Sequence, residues 1–177
     1  MKVLDTSIQG CFIIQPRVFE DSRGFFLETY QEERYAKMLN TELPFVQDNH
    51  SRSQVGVLRG LHFQKTKPQG KLVRVVCGEV FDVAVDIRPD SPTFRQWQGV
   101  YLSEQNKKQL WVPPGLAHGF AVVSEIADLE YKCTDYYDPA DEACLAWDDP
   151  VLNVDWPINN PILSDKDKRG VSLGELV

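Results

Sequence analysis

The chain has 177 residues, a net charge of −7, 42 % hydrophobic residues and 25 % charged residues. These totals fit one folded domain, residues 1–177, with a real core. They exclude a general nucleic-acid binder, which needs a basic face, but leave room for a small anionic ligand gripped by a few cations in a cleft.

No stretch approaches the ~20 apolar residues of a membrane span. The start, Met1-Lys2-Val3-Leu4-Asp5, has no apolar leader region. No membrane contact and a cytoplasmic location are therefore expected. Cys11, Cys77, Cys133 and Cys144 form no C-x-x-C pair and read mostly as reduced, buried small apolar groups.

In chain order, short apolar or alternating segments recur between turn signals. The first are Cys11-Phe12-Ile13-Ile14 and Gly24-Phe25-Phe26-Leu27-Glu28-Thr29-Tyr30. Gln31 to Asn40 has helical spacing, with Tyr35, Met38 and Leu39 on one face. Gln47-Asp48-Asn49-His50 follows as a cluster of short polar groups, readable either as a turn or as ligand contacts. Lys71 to Cys77 and Val80 to Asp86 read as a β-hairpin about Gly78-Glu79. Strands are also expected around Gly99 to Leu102, Gln109 to Val112, Gly119 to Val123 and Ala127 to Cys133. A short helix capped by Ser164 is expected near Lys168. The Pro-rich section after Asp149 reads as a tail wrapping the domain. Many short strands at this spacing predict an all-β sandwich or barrel.

Only three histidines occur: His50, His62 and His118. His62, in Leu58-Arg59-Gly60-Leu61-His62-Phe63-Gln64, is either a satisfied core histidine or a general base. His118 follows Pro113-Pro114-Gly115, a rigid turn that fixes its place near the mouth of a cavity. His62 has no second histidine two residues away, so the commonest metal pattern is missing, although three separate histidines can still meet in space. Tyr131 is a buried core phenol or a proton donor. Lys71 opens an apolar strand. Arg23 and Arg59 each precede a glycine at a strand start, a setting that suits bidentate contact with phosphate. Tyr137, beside Tyr136, either stacks on a planar base or packs a turn.

From about Phe19 to Asp167 the chain resembles the dTDP-4-dehydrorhamnose 3,5-epimerase family. The resemblance is carried by Asp21-Ser22-Arg23-Gly24-Phe25-Phe26, Phe45-Val46-Gln47-Asp48-Asn49-His50-Ser51, Arg59-Gly60-Leu61-His62, Gln69-Gly70-Lys71-Leu72, Gly78 to Asp86, Pro113 to Phe120 and Tyr131-Lys132, in that order. It implies a cupin-type jelly-roll β-barrel with one or two short helices. It implies metal-free inversion at C3 and C5 of dTDP-4-keto-6-deoxyglucose, without a cofactor. His62 matches the base, Tyr131 the acid, Lys71 the cation beside the keto oxygen, and Asp167 the carboxylate behind the base. Spacing alone does not choose between Asp165 and Asp167. Arg23, Glu28, Gln47, Asn49, Arg59, His118, Glu142 and Lys166 match ligand positions, and Tyr137 matches the residue that stacks on thymine. Arg23 and Glu28 are expected to reach into the partner's site in a homodimer. The alternatives are a single-centre epimerase or ketoisomerase of a related sugar, a non-catalytic sugar-nucleotide binder, and a metal-dependent oxygenase.

Overall fold

The computed structural model describes residues 1–176. Its strands are β1 (Lys2–Asp5), β2 (Phe12–Gln15), β3 (Val18–Asp21), β4 (Gly24–Leu27), β5 (Gln47–Gln54), β6 (Leu58–Gln64) and β7 (Lys71–Cys77). Then come β8 (Glu79–Asp86), β9 (Trp97–Ser103), β10 (Gln109–Val112), β11 (Leu116–Val122), β12 (Ile126–Cys133) and β13 (Glu142–Cys144). The jelly roll takes the form of two facing sheets, a six-stranded one in the order β1-β2-β10-β7-β12-β5 and a five-stranded one in the order β13-β6-β11-β8-β9. β3 and β4 form a separate hairpin.

Alternation along the strands sets the packing. Val73, Val75 and Leu129 of one sheet meet Val80, Ala84, Val100, Leu102 and Phe120 of the other in the central core. Residues one step along β8, Phe81, Val83 and Val85, point outward and are covered by Leu145, Leu152, Trp156 and Leu173. The tail after Asp149 does wrap the domain: Trp156 donates its indole N–H to the Trp147 carbonyl at 2.8 Å, and Ile162 and Val171 bridge to Val57 and Leu145. Because both faces of the five-stranded sheet are covered, β8 is buried from Val80 to Asp86.

Helix α1 (Glu32–Leu39) matches the expected segment. Gln31 caps its first turn through the Arg34 N–H, Asn40 ends it in the left-handed region, and Tyr35 and Leu39 pack against Ile14, Leu72 and Trp111. Near the C-terminus stand a 3₁₀ turn, Asp167–Arg169, and α2 (Leu173–Leu176). The turn starts at Asp167 rather than just after Ser164; Lys166 stands at its cap position without a side-chain bond, and Ser164 Oγ accepts from the Asp167 N–H. No helix among the described residues is long and apolar enough to cross a membrane.

Two expectations need correction. β7 and β8 are not a hairpin: β7 pairs with β10 and β12, whereas β8 pairs with β9 and β11. The chain crosses between sheets at Gly78, whose φ is +73° and whose missing Cβ leaves space against the Ile126 carbonyl that a side chain would occupy at 1.9 Å. Of the two readings of the polar cluster at Gln47, the turn is wrong: the cluster is the start of β5, which pairs with β12 along its whole length.

Candidate active site

A cavity of about 320 Å³ opens between the two sheets. β6 contributes Arg59 and His62, β7 contributes Lys71, β11 contributes His118, and β12 contributes Tyr131. β5 adds Gln47 and Asn49, while Tyr137, Glu142 and Lys166 come from the chain after β12.

β6 is held unusually close to β11. Gly60 has φ of +111°, and a Cβ there would lie 2.6 Å from the Gly119 Cα. The register shifts between His118 and Phe120, and His62 pairs directly with His118. Such an irregularity re-aims side chains. Leu61 goes to the outer core, whereas His62 faces the cavity.

Behind His62 sits Asp167, only 3 % exposed. Its Oδ1 is 2.6 Å from His62 Nε2 and accepts from the Gly60 N–H, and its Oδ2 accepts from Ser164 Oγ at 2.6 Å. Burial pushes this carboxyl up, but the hydrogen bonds from His62 and Ser164 outweigh it and hold the group at about 2. Asp167 is therefore ionised and can only accept, so the proton of neutral His62 sits on Nε2. The lone pair of Nδ1 is left free, 3.9 Å from Glu142 Oε1. Of the two carboxylates near the tail, Asp167 faces His62, whereas Asp165 is exposed beside Lys168.

Tyr131 belongs to the opposite sheet from His62. Burial, then the nearby Cys133 and Glu142, push its phenol up to about 12, so it stays protonated at neutral pH. Burial pulls the Lys71 ammonium below its ordinary value, partly offset by Cys133 and Glu142. A developing oxyanion beside Lys71 would favour its charged form.

At the mouth, Lys166 Nζ and the Tyr137 hydroxyl both donate to Glu142 Oε2, at 2.8 and 2.9 Å. The Tyr137 N–H donates to Gln47 Oε1, and Gln47 donates to Asn49. Arg59 Nε donates to Ser53 Oγ at 3.0 Å. His118, 6 % exposed, places Nε2 2.8 Å from Asp82 Oδ1, forming a second His–carboxylate pair.

Arg23 and Glu28 do not line the cavity of their own chain. Arg23 is exposed on the β3–β4 hairpin and pairs with Asp21, and Glu28 pairs with Arg34. His50 faces the other side of β5, between Asp128 and Glu130. Sequence reasoning missed Ser51, Gln69, Phe120 and Cys133 as cavity-lining residues, and it missed Asp82 as the partner of His118. Ser51 had a signal in its place two and four residues after Asn49 and Gln47 along β5. Asp82 had one as an acid inside an apolar strand.

His62, Cys144 and Asp167 place three ligand atoms within 4.8 Å of one another. The set does not fit a metal. Burial first, then the Asp167 charge, push the Cys144 thiol up to about 12, whereas a metal takes the thiolate. The 2.6 Å His62–Asp167 contact is also shorter than the roughly 3.3 Å between two ligands of a tetrahedral ion.

The family model described as dTDP-4-dehydrorhamnose 3,5-epimerase matches residues 5–175. A curated dTDP-4-dehydrorhamnose 3,5-epimerase of Pseudomonas aeruginosa is 51 % identical over 176 residues, covering 99 % of this chain and 97 % of the relative. The crystal structure of a Legionella pneumophila 3,5-epimerase in complex with dTDP-4-keto-L-rhamnose superposes with a TM-score of 0.95 at 53 % identity, covering 98 % of this chain and 93 % of that one. A 3'-monoepimerase of Streptomyces bikiniensis, solved with dTDP-quinovose, gives 0.90 at 32 % identity, covering 96 % and 86 %. A match over nearly every residue, by model, by sequence and by fold, means that this chain belongs to the dTDP-4-dehydrorhamnose 3,5-epimerase family.

Proposed function

We propose that this protein is a dTDP-4-dehydrorhamnose 3,5-epimerase that inverts C3 and C5 of dTDP-4-keto-6-deoxyglucose by proton transfer, giving dTDP-4-keto-L-rhamnose. One observation carries the mechanism: His62 and Tyr131 line the same cavity from opposite sheets.

The ketone at C4 acidifies the C–H bonds at C3 and C5. His62 Nδ1 takes the proton, and the electron pair moves into the carbonyl to form an enolate. Asp167 stabilises the imidazolium and fixes its tautomer. Lys71 offsets the charge on the enolate oxygen, where a well-placed donor is worth about 3–4 kcal/mol. Tyr131 then delivers a proton to the other face of the same carbon, and the centre is inverted. Each cycle leaves His62 protonated and Tyr131 ionised, and exchange with solvent resets both. No electron leaves the substrate, so the chemistry calls for no redox cofactor. The hydrogen-bonded base likewise needs no metal.

The nucleotide supplies binding energy remote from the reacting carbons. Tyr137 stacks on thymine, and Gln47, Asn49, Arg59, His118, Glu142 and Lys166 hold the rest. Arg23 and Glu28 reach the site of the partner subunit in a homodimer. That reading is supported by the hairpin standing apart from both sheets, with Phe26 70 % exposed and Phe19 and Phe25 also uncovered. The enzyme acts in the cytoplasm as a single domain spanning 1–177.

The test is NMR of the substrate incubated with the protein in D2O. Deuterium at both C3 and C5 is expected. Exchange at one carbon would make the protein a single-centre epimerase, and tight binding without exchange would make it a binder.

A further inference from the structure

The inner face of β5 carries Gln47, Asn49, Ser51 and Ser53 in alternation. Three of them have partners. Gln47 is bonded to Tyr137 and Asn49, Asn49 also contacts Cys133, and Ser53 accepts from Arg59. Ser51 does not. Its Oγ is buried, its side chain lines the cavity, and among the described residues it has no hydrogen-bond partner. The other such atom is Asp82 Oδ2, on a carboxylate already engaged by His118. Buried hydroxyls in native proteins are nearly always satisfied, so a lone one on a cavity wall marks a place where a ligand atom completes the bond.

We infer that Ser51 is a specificity-determining residue that hydrogen-bonds a hydroxyl of the hexose; this rests on the epimerase reading. Register gives its position. Gln47 pairs with Cys133, Asn49 with Tyr131, and Ser51 with Leu129. The Tyr137 backbone is tied to Gln47, so the end of the cavity that takes the base is the Gln47 end. Ser51 lies one inward step beyond Asn49, about 7 Å further along the strand, past the acid Tyr131. The group that arrives there belongs to the sugar. Chemistry gives its type. The phosphates and the C4 ketone only accept, and Arg59 and Lys71, which only donate, can serve them. A sugar hydroxyl both donates and accepts, and a serine hydroxyl answers both needs.

The test is calorimetric titration of the wild-type protein, Ser51→Ala and Ser51→Thr with dTDP and with dTDP-glucose, which carries hexose hydroxyls but no ketone. Ser51→Ala is expected to weaken dTDP-glucose roughly 3–10-fold, as loss of a neutral hydrogen bond does, while leaving dTDP unchanged. Ser51→Thr, which keeps the hydroxyl, should recover most of the loss. In turnover, Ser51→Ala should raise KM more than it lowers kcat. Equal weakening of dTDP and dTDP-glucose would overturn the inference by placing the contact on the nucleotide, and unchanged binding of both would overturn it outright. Wild-type protein that binds neither molecule would overturn the epimerase reading itself.

Discussion

Asp167→Asn is the most informative single change at the base. Asparagine keeps the shape: its oxygen can still accept from His62 Nε2 and the Gly60 N–H, and its amide can face Ser164 Oγ. What disappears is the charge. The fall of Asp167 from an ordinary 3.8 to about 2 corresponds to about 2 kcal/mol of net stabilisation of its ionised form. Burial works against that fall, so the favourable contacts, of which His62 is the first, are worth more than the net figure. The His62 imidazolium formed during proton abstraction loses the charge it faces at 2.6 Å, and a hydrogen bond to a charged group is worth about 1.5–3 kcal/mol. A loss of about 2 kcal/mol lowers the exchange rate roughly 30-fold, and a wrong histidine tautomer would extend the loss toward 10⁴-fold. The assay is deuterium uptake at C3 and C5 in D2O, with dTDP affinity measured in parallel. Uptake at the wild-type rate in a folded variant would refute the role of Asp167. A matching loss of dTDP affinity would show instead that the site had been disrupted.

Three other outcomes follow from the same geometry. Lys71→Met should lower kcat about 10²–10³-fold with little change in dTDP affinity, because the enolate charge exists only along the reaction path; a pure KM effect would contradict this. Asp167 and Asp86, both buried and both held at about 2, should make the protein lose stability in acid. Their folded values lie below their unfolded ones. Each therefore contributes about 2 kcal/mol that is present above pH 4 and lost as pH falls toward 2. Urea midpoints measured across that window should fall, and Asp86→Asn should flatten the fall; an unchanged slope would contradict the coupling to Arg88, Ser91 and Thr93. Incubation with a strong chelator should leave turnover intact, and a loss restored by added metal would contradict the hydrogen-bonded base.

How much was legible in the sequence depended on which physical signal each residue carried. Helix α1 was readable because Tyr35, Met38 and Leu39 share a face, which the structure packs against Ile14, Leu72 and Trp111. β12 was readable because Leu129 and Tyr131 point in while Glu130 and Lys132 point out. β5 carries no such contrast. Its inner residues Gln47, Asn49 and Ser51 face a polar cavity rather than the core, and Ser53 beyond them is bonded to Arg59, so apolar alternation vanishes where the strand serves the site. The Gly78 corner looks locally like a hairpin turn, and only the pairing of β7 and β8 with different partners tells them apart. The His62–Asp167 and Asp82–His118 contacts span 105 and 36 residues, and nothing local in either sequence region records them. Spacing alone left Asp165 and Asp167 open and the family resemblance chose Asp167; the 3₁₀ turn that starts there brings Asp167, and not Asp165, to His62.

The central claim is that base and acid act from opposite sheets on opposite faces of one carbon. Tyr131→Phe tests it most directly, with C–H exchange and formation of inverted product followed together by NMR in D2O. The account predicts that exchange continues near the wild-type rate while inversion falls about 10²–10⁴-fold, since the His62 side remains intact and only delivery from the other face is removed. Equal loss of exchange and inversion would contradict it.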